Sequence, residues 1–157
     1  MRRCVATVLL CALLEFVARR VAMVRGFPLS AGPSVNPGVA FGLLRGTPAW
    51  AAVLSALGLA VILGSLFLLR RRNGALRLGL SVMAGGALAN LAERMARGFV
   101  TDWLPLPLSD AFIEGGLNFN LADVEIVLGA SVALWAVAFG GEADEMDETD
   151  KMDQKGA

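Results

Sequence analysis

Four stretches of the chain stay apolar for about the 20 residues that a helix rising about 1.5 Å per residue needs to cross a hydrocarbon core. They are Cys4 to Val24, Pro48 to Leu69, Ala75 to Val100 and Leu121 to Phe139. The second carries no charge. The first is interrupted by Glu15, Arg19 and Arg20, and the third has Arg77 at one end and Glu93, Arg94 and Arg97 toward the other. The fourth carries Asp123 and Glu125 in its opening turn. The pattern predicts an all-α membrane protein of four transmembrane helices.

Composition supports this class. Of 157 residues, 56% are hydrophobic and only 18% charged, and the mean hydropathy is +0.63. A water-soluble domain of this size runs near a quarter charged and below half apolar. The 14 basic residues balance the 14 acidic ones, which argues against a nucleic-acid partner, because a phosphate-binding surface needs basic excess.

The acidic residues are concentrated at the end. Residues 142–157 hold seven carboxylates against Lys151 and Lys155, which predicts a disordered, solvated tail over 141–157 behind a helical domain over 1–140. Cys4 and Cys11, seven residues apart on one predicted helix, stand about 10 Å from each other, too far for a disulfide. Arg2 and Arg3 before an apolar run resemble the start of a cleaved signal peptide. Val8, Leu9 and Leu10 before Cys11 lack the small residues of a cleavage site, so a retained helix is expected.

With four spans, the N-terminus, the Arg70–Arg72 connector and the tail share one side. Eight basic residues fall there against six on the other, which favours cytoplasmic termini under the positive-inside rule. The connectors 25–47 and 101–120 then emerge together on the opposite, extracytoplasmic side, bringing Asn36, Asp102, Asn120 and Asp123 near one membrane face.

Charges within spans are costly and tend to face a bundle interior, where they mark function. Asn90, Glu93, Arg94 and Arg97 recur at i, i+3, i+4 and i+7 and share a helix face. Taken alone, this is also a local polar patch with a Glu93–Arg97 pair. Asp102 alone reads as a span-end turn residue, and Asn120 with Asp123 as a helix N-cap and an acidic third position. Together they mean more: Asp102 ends one span and Asp123 begins the next on the same side. Two adjacent carboxylates cannot easily ionise together, so one proton is shared. One can take a proton from water while the other protonates a carbonyl or leaving amine. The chain has no histidine, which removes Ser-His and Cys-His triads and most zinc sites. No Gly-rich phosphate loop follows a strand, and neither a metal nor a cofactor is expected.

Three blocks of this sequence resemble lipoprotein signal peptidase, also called signal peptidase II. The segment 36–42, Asn-Pro-Gly-Val-Ala-Phe-Gly, is similar to the family's Asn-x-Gly-Ala-Ala-Phe. The segment 85–94, continuing through Gly98-Phe99-Val100-Thr101-Asp102-Trp103, is similar to its Gly-Gly-Ala-x-Gly-Asn-x-x-Asp-Arg block and the Val-x-Asp-Phe that follows. Phe119-Asn120-Leu121-Ala122-Asp123 matches its Phe-Asn-x-Ala-Asp. The resemblance implies Asp102 and Asp123 as the catalytic pair, with Asn36, Asn90, Arg94 and Asn120 around the substrate. It further implies a small extracytoplasmic β cradle within 25–47 and a short surface helix within 105–116.

The implied partners are membrane lipids and diacylglyceryl-modified prolipoproteins, cut before the lipidated cysteine at the extracytoplasmic face of a bacterial inner membrane. A monomer is expected. The sequence departs from the family pattern at Glu93 (usually Asp), Ala89 (Gly), Glu15 and Arg19 (Asp and Lys), Val39 (Ala) and Trp103 (Phe). Glu93 adds a methylene to what is expected to be a tight polar pocket. These departures keep open a catalytically impaired relative that binds lipidated peptides without cleaving them. A proton or ion carrier using Glu15, Glu93 and Asp123 would instead spread its charges through the bilayer depth.

Overall fold

The computed structural model describes residues 1–25, 33–38, 47–70, 73–106, 109–112 and 117–153. Four long helices carry the fold: α1 (Arg2–Arg25), α2 (Pro48–Leu68), α3 (Gly74–Arg97) and α4 (Leu121–Asp153). Pro48 opens α2, where its missing N–H removes no intrahelical bond. Asn73 caps α3 by accepting from Ala75 N at 2.7 Å. Gly98 stops α3 in the left-handed region at φ +80° and donates to the Arg94 carbonyl at 2.8 Å, a stop that suits a residue without Cβ.

The α3 helix lies at the centre and packs against α1, α2 and α4. Its glycines let backbones touch, as small residues do between membrane helices. A Cβ at Gly79 would stand 2.6 Å from the Gly129 carbonyl of α4, and one at Gly85 would stand 3.0 Å from the Val8 carbonyl of α1. The buried apolar core is thin, built of Cys4, Leu66, Leu76, Leu80, Ala133 and Ala136 at one end and Val8, Leu59 and Ala84 further along. Both cysteines are buried and unbonded to each other. The large apolar side chains point outward instead: Leu9, Leu13, Trp50, Leu57, Val61, Leu134 and Val137 are all exposed, an inverted arrangement that suits lipid rather than water.

Among the described residues, three helical stretches are long and apolar enough to cross a membrane: Pro48–Leu68, Gly74–Arg97 and Leu121–Phe139. The α1 helix reaches 24 residues but carries Glu15, Arg19 and Arg20 and does not join them on composition alone. The α4 helix continues as helix through Asp153. The acidic stretch expected to be disordered is thus helical over most of its length, consistent with its Glu, Ala, Met and Lys content, all good helix formers.

Two short antiparallel pairs close one end of the bundle. β1 (Ser34–Asn36) pairs with β2 (Val100–Asp102), with Ser34 opposite Asp102 and Asn36 opposite Val100. β3 (Leu104–Pro105) pairs with β4 (Asn118–Phe119). The cradle expected within 25–47 is therefore composite: the strand contributed by that connector finds its partner after α3. Most of the connector lies outside the described residues. Where a short surface helix was expected, a single 3-10 turn stands at Ser109–Ala111, and residues 107–108 and 113–116 lie outside the described set.

Candidate active site

Asp102 is the last residue of β2 and Asp123 the third of α4. The strand pairs bring the end of α3 beside the start of α4. Asn120 sits just before α4, and its Oδ1 accepts from Asp123 N at 2.9 Å while Asp123 Oδ2 accepts from Asn120 N at 3.2 Å. This is the reciprocal cap that the sequence suggests. It is not an alternative to a site, because the same Asn120 builds the site through its other end. Asn120 Nδ2 donates to Asp102 Oδ1 at 2.9 Å and to Asn90 Oδ1 at 3.1 Å. Asn90 Nδ2 in turn donates to Asp123 Oδ1 at 2.9 Å.

Asn36 extends this network from the far side of Asp102. On a strand, residues two apart share a face, so Asn36, opposite Val100, is the diagonal neighbour of Asp102 and donates to its Oδ2 at 3.1 Å. All four oxygens of the two carboxylates thereby accept a hydrogen bond. Asn120 is 1% exposed, Asp102 5% and Asn90 7%, while Asp123 is half-buried.

Burial pushes the Asp102 carboxyl up to about 6, and the Asp123 charge adds to the rise. The amides of Asn36 and Asn120 and the Arg94 guanidinium offset part of it. A protonated Asp102 beside a half-buried Asp123 is thus accessible near neutral pH.

The remaining sequence-predicted residues fall on either side. Arg94 is buried and donates through Nε (3.3 Å) and Nη2 (2.8 Å) to the Gly38 carbonyl, and Gly38 N donates back to Asn36 Oδ1 at 3.1 Å. In this structure Arg94 fastens the loop bearing Asn36 and is an electrostatic neighbour of both aspartates. Glu93 is not in this network. It accepts from Arg19 Nη1, from Arg97 Nη1 at 2.9 Å, and from Thr101 N (3.2 Å) and Oγ1 (2.8 Å). Neighbouring strand residues face opposite ways, so Glu93 grips Thr101 on one face of β2 while Asp102 serves the other. The tight polar pocket expected around Glu93 is a structural ion cluster, in which the longer side chain spans α1, α3 and β2.

Sequence reasoning missed two residues here. Thr101 carried no signal of its own. Glu15 stood out as a charge in a span, as a departure from the family's Asp and as a possible relay group, but not as a partner of Trp103. It is 1% exposed and accepts from Trp103 Nε1 at 3.2 Å, with Arg19 3.9 Å away. The available signal was the pairing itself, since a carboxylate in a span needs a donor and Trp103, one residue past Asp102, supplies an N–H.

A small helical membrane bundle with two aspartates bridged by asparagines at one end is the class these features define. Consistent with that fold, two solved structures described as a bacterial membrane enzyme by the in meso method, at 2.3 and 1.9 Å resolution, superpose with TM-score 0.68 at 18% identity. They cover 88% and 87% of this chain, and 88% and 93% of theirs. A family model described as signal peptidase (SPase) II matches residues 9–139. The lipoprotein signal peptidase of Pelotomaculum thermopropionicum is 36% identical over 121 residues, covering 77% of this chain and 72% of its own. That of Moorella thermoacetica is 38% identical over 100 residues (64% and 62%), and that of Shewanella oneidensis 30% over 122 residues (74% and 69%). The chain belongs to the signal peptidase II family.

Proposed function

We propose that this chain is an aspartic endopeptidase that removes the signal peptide from diacylglyceryl-modified bacterial prolipoproteins, cutting before the lipidated cysteine. The observation that carries the reading is the hydrogen-bonded network Asp102–Asn120–Asn90–Asp123, with Asn36 also donating to Asp102, at the end of a helical bundle. Family membership supports the substrate class.

In this mechanism Asp102 holds the shared proton. Asp123 lies in the first turn of α4, where a negative charge meets the positive end of the helix dipole, and it is the base. Water attacks the scissile carbonyl carbon, giving a proton to Asp123 while Asp102 protonates the carbonyl oxygen. The resulting diol collapses with cleavage of the C–N bond. The Asp123 proton leaves on the amine and Asp102 recovers its own from the diol hydroxyl, so the pair ends as it began. Asn36, Asn90 and Asn120 orient the two carboxylates and, with Arg94, the peptide backbone and lipid ester oxygens.

The site belongs to a peptidase unit over 1–140 with α1 as a fourth span. The polar residues on its inner face, Glu15 and Arg19, are taken up by Trp103 and Glu93. Its termini and the acidic extension face the cytoplasm of a bacterial inner membrane and the aspartates the opposite side, in keeping with the short arginine connector between α2 and α3. The substrate class is tested with one prolipoprotein prepared with and without diacylglycerol on its lipobox cysteine. Cleavage only of the lipidated form, with a new N-terminus at that cysteine by mass spectrometry, is expected. Equal cleavage of both, or a cut elsewhere, would contradict it.

A further inference from the structure

Behind the catalytic pair, on the opposite face of β2, a groove of about 1140 Å³ runs between α1 and α3. Its walls include Leu13 and Phe16 of α1 and Leu88, Ala89 and Ala92 of α3. The alanines recur at helical spacing and leave a shallow trough where larger side chains would fill the space. Leu13 and Phe16 are also exposed on the outer surface of the bundle, so the groove opens toward where acyl chains lie.

One end of this groove is cationic. Arg19, Arg20 and Arg97 line it with Glu15 and Glu93, and three guanidinium groups against two carboxylates leave one positive charge in excess. The carboxylates are already committed: Glu93 to Arg19, Arg97 and Thr101, and Glu15 to Trp103 with Arg19 at 3.9 Å. Arg20 is exposed and makes no ion pair among the described residues. The Arg97 side chain, held at one nitrogen by Glu93 and laid over the Phe99 ring, is half exposed. An apolar trough with surplus cationic donors at one end matches a molecule with a hydrocarbon chain and an anionic head, as basic pockets between membrane helices do.

We propose that the α1–α3 groove binds one anionic phospholipid, its phosphate on Arg20 and Arg97 and an acyl chain along Leu13, Phe16 and the Ala89–Ala92 trough. This site is separate from the peptidase centre. Asp102 and Thr101 project from opposite faces of β2, and on α3 the groove residues Ala89, Ala92 and Glu93 flank, rather than include, Asn90 and Arg94. The lipid would add a counter-charge to Arg97, one of the two arginines that hold Glu93, and through Thr101 it would brace the strand that carries Asp102.

The test is native mass spectrometry of the purified full chain in detergent with equimolar phosphatidylglycerol and phosphatidylcholine, which needs no assumption about cleavage. Phosphatidylglycerol adducts are expected to exceed phosphatidylcholine adducts several-fold. Arg20→Gln, at an exposed position, should abolish the preference, Ala92→Leu should reduce total lipid retained by filling the trough, and Arg70→Gln on the connector should change neither. Millimolar glycerol phosphate, a head without a chain, should not displace the lipid. Equal adducts of the two lipids, a preference that survives Arg20→Gln, or displacement by glycerol phosphate would each overturn the proposal.

Discussion

Asn120 and Asp123 cap one another at the start of α4, and the amide of the same Asn120 reaches 2.9 Å to Asp102. One residue therefore ends a backbone problem and builds a chemical site. The two roles can be separated. Asn120→Ser keeps a capping oxygen but cannot reach Asp102, so it is expected to lower kcat at least ten-fold with little change in thermal midpoint. Asn120→Ala also loses the cap, which is worth about 1 kcal/mol, and should lower both. Parallel thermal melts and cleavage assays distinguish them.

The pH dependence should carry the signature of Asp102. Its carboxyl is raised to about 6, so its proton is lost as pH rises through that value. kcat/KM is expected to fall on the alkaline side accordingly. The Asn36 amide stabilises the charged form, so Asn36→Ala should move the alkaline limb to higher pH while lowering the maximum. A limb that stays in place would separate it from Asp102.

Stability should respond in the same sense. A carboxyl whose folded pKa lies above the usual Asp value of about 3.9 binds its proton more tightly when folded, so its contribution to stability is full below that value and is lost as pH rises through about 6. Asp102→Asn carries no charge and escapes this loss. Its thermal midpoint at pH 8 is expected to exceed that of the parent, with the gap closing toward pH 4.

Glu93 is expected to matter through β2 rather than through substrate. Glu93→Gln leaves the largely buried Arg19 short of its carboxylate, and breaking such a pair costs about 3 kcal/mol. The thermal midpoint should drop and kcat should fall as Thr101 loosens, with KM nearly unchanged. A KM effect alone would place Glu93 at the substrate instead.

Helix packing offers an independent check on the fold. Gly79→Ala puts a Cβ 2.6 Å from the Gly129 carbonyl, and the neighbour is backbone, so α3 and α4 must part. A cost of about 2 kcal/mol should appear as a lower thermal midpoint. Gly74→Ala, where a Cβ would meet nothing within 4 Å, should be neutral.

Much of this was legible in the residues. The four apolar runs became four helices, the first three within a few residues of their expected ends and the fourth from its expected start but on through Asp153, because hydrophobic length, the starts at Pro48 and Asn73 and the stop at Gly98 are local properties. Asn36, Asp102, Asn120 and Asp123 were expected at one end of the bundle and meet there, because span ends and connector sides follow from counting, whereas Asn90 was expected beside them from the family resemblance. What was not legible depended on pairing across long sequence separations. Nothing local joins Ser34–Asn36 to Val100–Asp102, or Glu15 to Trp103 across 88 residues. Glu93 and Arg94 are adjacent in sequence yet reach different partners, Thr101 of β2 and the Gly38 carbonyl after β1, and only the fold shows that one braces a strand and the other a loop.

The central claim is that Asp102 and Asp123 together cleave a lipidated prolipoprotein. The most direct measurement is single-turnover cleavage of a diacylglyceryl prolipoprotein by the purified chain in detergent, beside Asp102→Asn and Asp123→Asn, with all three shown to be folded by thermal melt and to bind the substrate. The parent should cleave, and each variant should fall by at least a thousand-fold while still binding. Cleavage that persists in either variant, or a folded, substrate-binding parent that does not cleave, would contradict the account.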